Sequence, residues 1–133
     1  MKVIEIEGIG AIFAEKLNKI EIFTDEDLLV HGATRTGRKR IAAETGIFES
    51  RILSWVNMVD LCRIKGIGPQ FAELLHAAGV DTVNELKNRN AENLHAKLVD
   101  VQAEQKITKA VPALSQVIDF INQAKGLEPV VSY

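Results

Sequence analysis

The chain has 133 residues, of which 47% are hydrophobic and 26% are charged, and its formal net charge is −2. This composition suits one core, or two small cores that share an interface, and excludes a chain that is mostly disordered. The acidic balance argues against strong non-specific binding to nucleic acid, which is favoured by a basic surface.

The N-terminal residues predict neither a signal peptide nor a membrane anchor. Glu5 and Glu7 interrupt the apolar stretch that a signal peptide needs, and no apolar run is long enough to span a bilayer. The single cysteine, Cys62, excludes an intramolecular disulfide and lies in an apolar helical run. We therefore expect a cytoplasmic protein that makes no contact with a membrane.

The chain begins with a short segment that is either a stub of strand or a helical turn, and a glycine turn follows it. In Gly8-Ile9-Gly10 we expect the glycines to adopt positive φ and the isoleucine to point inward. Phe13, Ala14 and Leu17 then recur at helical spacing and predict one buried helix face.

Threonines mark where the next helices of the first half begin. Thr24 precedes Glu26 and Asp27, which is typical of an N-cap followed by an acidic first turn. Either Thr34 or Thr36 is expected to cap a helix that ends at Thr45-Gly46. A long apolar helix that contains Trp55 leads into the second half.

The second half opens by repeating the first turn. Residues 64–75 are identical to residues 6–17 at eight of twelve positions, with an offset of fifty-eight. Residues 117–122 also match residues 52–57, at an offset of sixty-five, which makes Phe120 the counterpart of Trp55. The chain is therefore predicted to contain two copies of one helical unit.

The remaining elements of the second copy follow from their capping residues. Thr82 with Glu85 forms a capping box pattern, and a helix is expected over residues 91–106. Pro112 suits the start of the last helix and Gly126 its end. The tail, residues 127–133, is predicted to be extended, which leaves a minor strand pairing between the two termini open.

We predict an all-α fold with pseudo-twofold internal symmetry. The first repeat covers residues 1–61 and the second covers residues 62–133, and the two are expected to pack as one globular unit.

The pattern G-I-G-x-x-x-A-x-x-L in both copies resembles the helix-hairpin-helix motif. In that motif a glycine turn presents backbone amides at a helix N-terminus to a nucleic-acid phosphate, and the resemblance implies the same here. The order of segments such as Trp55-Val56-Asn57 and residues 61–68 also resembles an uncharacterised family of small bacterial and archaeal proteins with two such units. That second resemblance implies a fold and no particular activity.

Charge distinguishes the two turns as phosphate sites. Residues 1–28 hold three lysines and seven acids, and Glu7 directly precedes Gly8, so we interpret the first turn as structural. Arg63 and Lys65 precede the second turn. The candidate nucleic-acid-binding residues are therefore Arg63, Lys65, Gly66 and Gly68, with Gly8 and Gly10 as weaker candidates.

Arg35, Arg38, Lys39 and Arg40 place four cations within six residues. One interpretation is a solvated helix face, and the other is a surface that contacts phosphate or an acidic partner. We include these four residues among the candidates.

Catalysis is not predicted. His31, His76 and His95 lack metal-ligand spacing, neither glycine turn has a Walker ending, and no cofactor or metal is expected. The leading hypothesis is a non-enzymatic module that binds DNA or RNA backbone, DNA above all, without reading sequence. The alternative is a protein-interaction or assembly domain that binds a partner or itself and uses the repeated units only as a scaffold.

Overall fold

The computed structural model describes residues 1–133, and it contains eight α-helices and no sheet. A short 3-10 helix, Val3–Glu5, precedes them. The helices are α1 (Ala11–Asn18), α2 (Asp25–Gly32), α3 (Arg35–Thr45), α4 (Glu49–Leu61), α5 (Pro69–Ala77), α6 (Val83–Leu86), α7 (Ala91–Gln105) and α8 (Leu114–Lys125). The predicted all-α class is confirmed.

The chain divides into two compact units. The first comprises Met1–Asp60 together with Val130–Tyr133, and the second comprises Leu61–Pro129. The sequence analysis assigned the whole tail to the second copy, whereas its last four residues lie with the first unit.

Capping threonines open two of the four α-helices in the first unit. The Thr24 Oγ1 accepts a hydrogen bond from the Asp27 amide at 3.1 Å, and the Asp27 carboxylate accepts one from the Thr24 amide, so a full capping box opens α2. Thr34 caps α3 through the Gly37 amide. Gly46 ends α3 in the left-handed conformation, with φ of 76°.

The core of the first unit is built from fully buried aliphatic side chains on several of its helices. Leu17 on α1, Leu28 on α2 and Ile52 on α4 have no exposed surface. Ile22, between α1 and α2, is also buried. Of the α1 face that helical spacing predicted, Ala14 and Leu17 are buried and Phe13 is partly exposed.

In the second unit, α7 and α8 pack against each other, and α5 and α6 pack against α7 and α8 respectively. Thr82 caps α6 through the Glu85 amide at 3.3 Å, as predicted, but the Glu85 carboxylate accepts from the Asp81 amide and not from Thr82. The last helix begins at Leu114, two residues after Pro112, and ends before Gly126. Lys106 ends α7 with φ of 51°.

The two termini do not pair with each other. Lys2 forms an isolated antiparallel bridge with Thr24, and the Val3 amide donates to the Phe23 carbonyl at 3.0 Å. In the tail, the Ser132 amide donates to the Ala33 carbonyl at 2.8 Å. Each terminus therefore forms backbone hydrogen bonds with a different connecting segment of the first unit.

Candidate functional site

The second glycine turn connects Ile64 to α5 through one sharp bend. The Ile67 amide donates to the Ile64 carbonyl at 3.1 Å, and the Ile67 side chain is buried, as predicted. Gly66 has φ of 101°, a conformation that favours glycine. The expectation that both glycines need positive φ is wrong, because Gly68 is extended, with φ of −94° and ψ of −176°.

Two side chains of α8 support this turn from behind. A Cβ on Gly66 would lie 2.9 Å from the Phe120 Cε1, so the turn and the ring are in close contact. The Lys65 amide donates to the Gln123 Oε1 at 2.9 Å, and the Gln123 Nε2 donates to the Lys65 carbonyl at 2.9 Å. Gln123 thus holds both backbone groups of the residue before the turn.

The opposite side of the turn is open to solvent. Lys65, Gly66 and Gly68 are exposed, and the amides of Gly66 and Gly68 donate to no protein acceptor. A Cβ on Gly68 would meet no atom within 4 Å. Pro69, at the first position of α5, has no amide hydrogen to offer. The turn therefore presents two unused glycine amides beside one exposed ammonium group.

Arg63 has a structural contact within the same unit. Its Nη2 donates to the Glu128 carbonyl at 2.9 Å, which ties the segment after α8 to the residues before the turn. Arg63 is half-buried, in contrast to the exposed Lys65. It contributes positive charge near the turn, but at least one of its donors is already used.

The first glycine turn has the same backbone shape with different neighbours. Gly8 has φ of 88°, Ile9 is buried, and Gly10 is extended and exposed. A Cβ on Gly8 would lie 3.3 Å from the Trp55 Nε1. The Phe13 and Trp55 ring centroids are 5.3 Å apart, whereas the Phe71–Phe120 distance in the second unit is 6.5 Å. An aromatic residue of a later helix thus supports each turn.

The environment of the first turn is acidic. Glu7 is exposed where the second copy has Lys65, and the acids at the start of α2 belong to the same unit. The Asp27 carboxylate accepts hydrogen bonds from the Phe23 and Thr24 amides, which hold the pKa of Asp27 below its usual value.

The basic cluster of α3 is not one continuous cationic face. Arg38 is 4% exposed, and its guanidinium donates to the carbonyls of Gly32, Ala33 and Ser132 at 2.9, 3.0 and 2.6 Å. Burial lowers the pKa of Arg38, although the group stays charged at neutral pH. The prediction that Arg38 is an exposed ligand-binding cation is therefore corrected, because its donors connect the end of α2 to the tail.

The other three cations of this cluster are exposed. The Arg40 Nε lies 3.5 Å from the Glu44 Oε1, one helical turn away, while Arg35 and Lys39 have no ion-pair partner. Arg35, Lys39 and Arg40 belong to the first unit, and Arg63, Lys65, Gly66 and Gly68 belong to the second.

Two residues that shape these regions were not predicted from the sequence. Gln123 gave no signal, because its partner Lys65 lies fifty-eight residues earlier. Gly37 lies within the basic cluster, and a glycine inside a predicted helix is the signal that could have identified it. A Cβ there would lie 2.1 Å from the His31 carbonyl oxygen, so α3 can approach α2 only with glycine at this position.

One of the three histidines, His76, pairs with an aspartate of its own unit. The His76 Nδ1 lies 2.7 Å from the Asp81 Oδ1, and both residues are partly exposed. No group of three or more histidine, cysteine or acidic side chains has a geometry that could hold a metal ion.

Among the eight helices, none combines the length and the apolar character needed to cross a bilayer. No curated protein and no solved structure matches the chain. A family model described as "Domain of unknown function (DUF4332)" matches residues 7–127, which is nearly the whole sequence. The chain therefore belongs to the DUF4332 family.

Proposed function

We propose that this protein is a non-enzymatic module that binds the phosphate backbone of nucleic acid, DNA above all, without reading its sequence. In this proposal the two units are copies of a helix-hairpin-helix element related by pseudo-twofold symmetry. The second turn is the phosphate site, and the first turn is structural.

The observation that carries the proposal is the glycine at position 68. Its φ of −94° is open to any residue, and a Cβ there would meet no atom within 4 Å. The fold therefore does not require glycine at this position, in contrast to Gly66. A bare backbone at a helix N-terminus lets an anion approach the amides closely, and the helix dipole favours that anion.

Charge favours the second turn over the first. Lys65 is exposed directly before Gly66, and Arg63 adds a second cation, whereas Glu7 occupies the position equivalent to Lys65. A phosphate at the second turn would meet an ammonium group, and one at the first turn would meet a carboxylate. Gly8 and Gly10 are therefore assigned no ligand.

Arg35, Lys39 and Arg40 are proposed as additional contacts to the phosphate backbone. They are exposed and require no particular base sequence, which suits a positioning role. Arg38 is not included, because its guanidinium donates to three carbonyls of the first unit.

A pair of matched substitutions tests this proposal. Gly68→Ala and Gly10→Ala add the same methyl group at an extended position where it meets no protein atom. Fluorescence anisotropy with a labelled short duplex and a single strand, at about 20 mM and about 200 mM salt, should show binding that weakens steeply with salt. Gly68→Ala should weaken it about tenfold through lost close approach, and Gly10→Ala less than about twofold.

Charge reversal provides the second arm of the test. Lys65→Glu should lower affinity at low salt by about tenfold, and Glu7→Lys should leave it unchanged or raise it slightly. Thermal unfolding should show similar small losses of stability for both glycine variants, about 1 kcal/mol or less. Absence of binding at about 20 mM salt, or equal losses from Gly10→Ala and Gly68→Ala, would contradict the proposal.

The alternative is a protein-interaction or assembly domain. Large apolar side chains that are at least half exposed favour it, including Ile4, Ile12, Phe23, Val30 and Phe48. Salt-independent self-association in sedimentation, without nucleic-acid binding, would support this alternative. For either function we propose a reducing cytoplasm as the location, since the sequence has one cysteine.

A further inference from the structure

The first unit contains an apolar groove that neither glycine turn uses. The groove has a volume of about 470 Å³ and lies between the N-terminal 3-10 helix and α1. Val3 and Ala14 are buried and form its floor, while Ile4 and Phe23 are each 51% exposed. Burying the exposed part of such large apolar side chains would be favourable. An apolar groove of this kind is therefore a candidate binding surface.

The fold itself does not require these apolar residues. At the offset of fifty-eight that relates the two glycine turns, the counterpart of Phe23 is Asp81, and the counterpart of Ile4 is Cys62. Asp81 lies 2.7 Å from His76 and is partly exposed. The same position thus accommodates a carboxylate in one unit and an aromatic ring in the other.

Acidic residues surround the groove. Glu15 lines it, Glu5 follows Ile4, and Asp25 and Glu26 follow Thr24, another lining residue. Fewer positive charges lie nearby: Lys2 also lines the groove, Lys19 lies 3.7 Å from Glu15, and the terminal amine lies 3.2 Å from Asp25. Over residues 1–28, seven acids stand against three lysines, so the field around the groove is negative.

We propose that this groove binds a basic amphipathic helix of a partner protein. Apolar side chains on one face of that helix would fill the space between Ile4 and Phe23, and lysines or arginines at its edges would face the surrounding acids. The proposal uses no residue of the second turn, so it does not rest on nucleic-acid binding.

A helix suits the groove better than an added strand. The structure contains no strand and only the isolated bridge between Lys2 and Thr24, so the groove offers no sheet edge to extend. The α1 wall has eight residues, and a helix of that length spans about 12 Å, or two turns. Apolar side chains at positions i, i+3 or i+4, and i+7 of the partner helix lie on one face and extend over about two turns, which matches this length.

The test uses a synthetic amphipathic helix of about 14 residues, made of leucine and lysine and labelled with a fluorophore. Two controls are a leucine–glutamate peptide of the same pattern and a scrambled leucine–lysine peptide. The leucine–lysine helix should bind the full chain at least about tenfold more tightly than either control. Heteronuclear NMR should place the largest shifts on residues that line the groove.

Two aromatic substitutions distinguish the groove from general attraction. Phe23→Asp introduces the residue type of the second copy and should weaken peptide binding by about tenfold or more. Phe48→Asp makes the same chemical change at a 75% exposed phenylalanine that does not line the groove, and it should change binding less than about twofold. Circular dichroism should show that both variants stay folded.

Three results would overturn the proposal. One is absence of binding by the leucine–lysine helix, and another is an equal loss of binding in the two phenylalanine variants, which would indicate non-specific attraction. The third is a dimer of the native chain in sedimentation that Phe23→Asp dissociates, which would identify a second copy as the occupant.

Discussion

The two glycine turns have closely similar backbones but differ in what holds them and what they offer to solvent. The first is supported by Trp55, and Glu7 precedes it. The second is supported by Phe120 and by two hydrogen bonds of Gln123, and Lys65 precedes it. A repeated motif therefore fixes a local shape, while residues outside the motif decide how rigid that shape is and which charge it presents.

The largest expected loss of stability comes from adding a methyl group at Gly66 or Gly8, the glycine of each turn that has positive φ. Gly66→Ala should lower the free energy of unfolding by about 2–4 kcal/mol, because the strained φ adds to a close contact with Phe120. Gly8→Ala should lower it by about 1–3 kcal/mol, because its Cβ would lie 3.3 Å from Trp55 and the contact is less severe.

Denaturant unfolding followed by circular dichroism would measure both losses. Trp55 is the single tryptophan of the chain, so its fluorescence reports separately on the first unit. A larger loss of unfolding free energy in Gly8→Ala than in Gly66→Ala would contradict this prediction. It would mean that the first turn is packed more tightly against its supporting ring than the second.

A smaller loss of stability should follow from replacing Gln123, which supports the second turn, with the residue found at the equivalent position of the first copy. At the offset of sixty-five, Met58 is the counterpart of Gln123. Gln123→Met removes both hydrogen bonds to Lys65, and we expect a loss of about 1 kcal/mol because water can replace bonds at this exposed site. Hydrogen exchange at the Lys65 amide should become faster.

Asn122→Met is the matched control for that substitution, because residue 122 is exposed on the same helix and should tolerate the change within about 0.5 kcal/mol. Unchanged exchange at Lys65 in Gln123→Met would mean that the glutamine does not hold the turn.

The smallest effect concerns pH and the capping box that opens α2. The pKa of Asp27 is lowered by hydrogen bonds from Phe23 and Thr24, so its ionised form stabilises the folded state. This contribution is fully present above the ordinary aspartate pKa of about 3.9 and is lost as pH falls through the lowered folded value.

Thermal unfolding between about pH 3 and pH 7 would test this dependence. The difference in stability between the native chain and Asp27→Asn should be present at neutral pH and shrink below about pH 4. Glu26→Gln changes an exposed acid in the same helical turn and should show a much weaker trend. A difference that stayed constant across the range would remove Asp27 as the titrating group.

Local signals in the sequence predicted the elements that depend on near neighbours. Thr24 and Thr82 were recognised as caps, and Thr34 was one of two candidates, because a capping hydrogen bond joins residues three positions apart. The inward isoleucine of each turn was recognised from the glycines that flank it. These features follow from backbone geometry and require no knowledge of the rest of the chain.

Features that depend on distant partners could not be predicted. Arg38 looks like its neighbours Lys39 and Arg40 in sequence, and the return of the tail to Ala33 brings the Ser132 carbonyl to its guanidinium. Gln123 is one of several polar residues on α8, and only its position behind Lys65 distinguishes it. The conformation of Gly68 was also missed, since a glycine gives no sign of which φ it will adopt.

The contact between Arg38 and the backbone of Ser132 has a consequence for how the protein is made. These residues are ninety-four positions apart, and the whole second unit is translated between them. A ribosome therefore releases Ser132 only after the second unit has been made, although domains usually fold in order as they emerge. The first unit is begun before the second and completed after it, and until then the guanidinium of Arg38 lacks one of its acceptors.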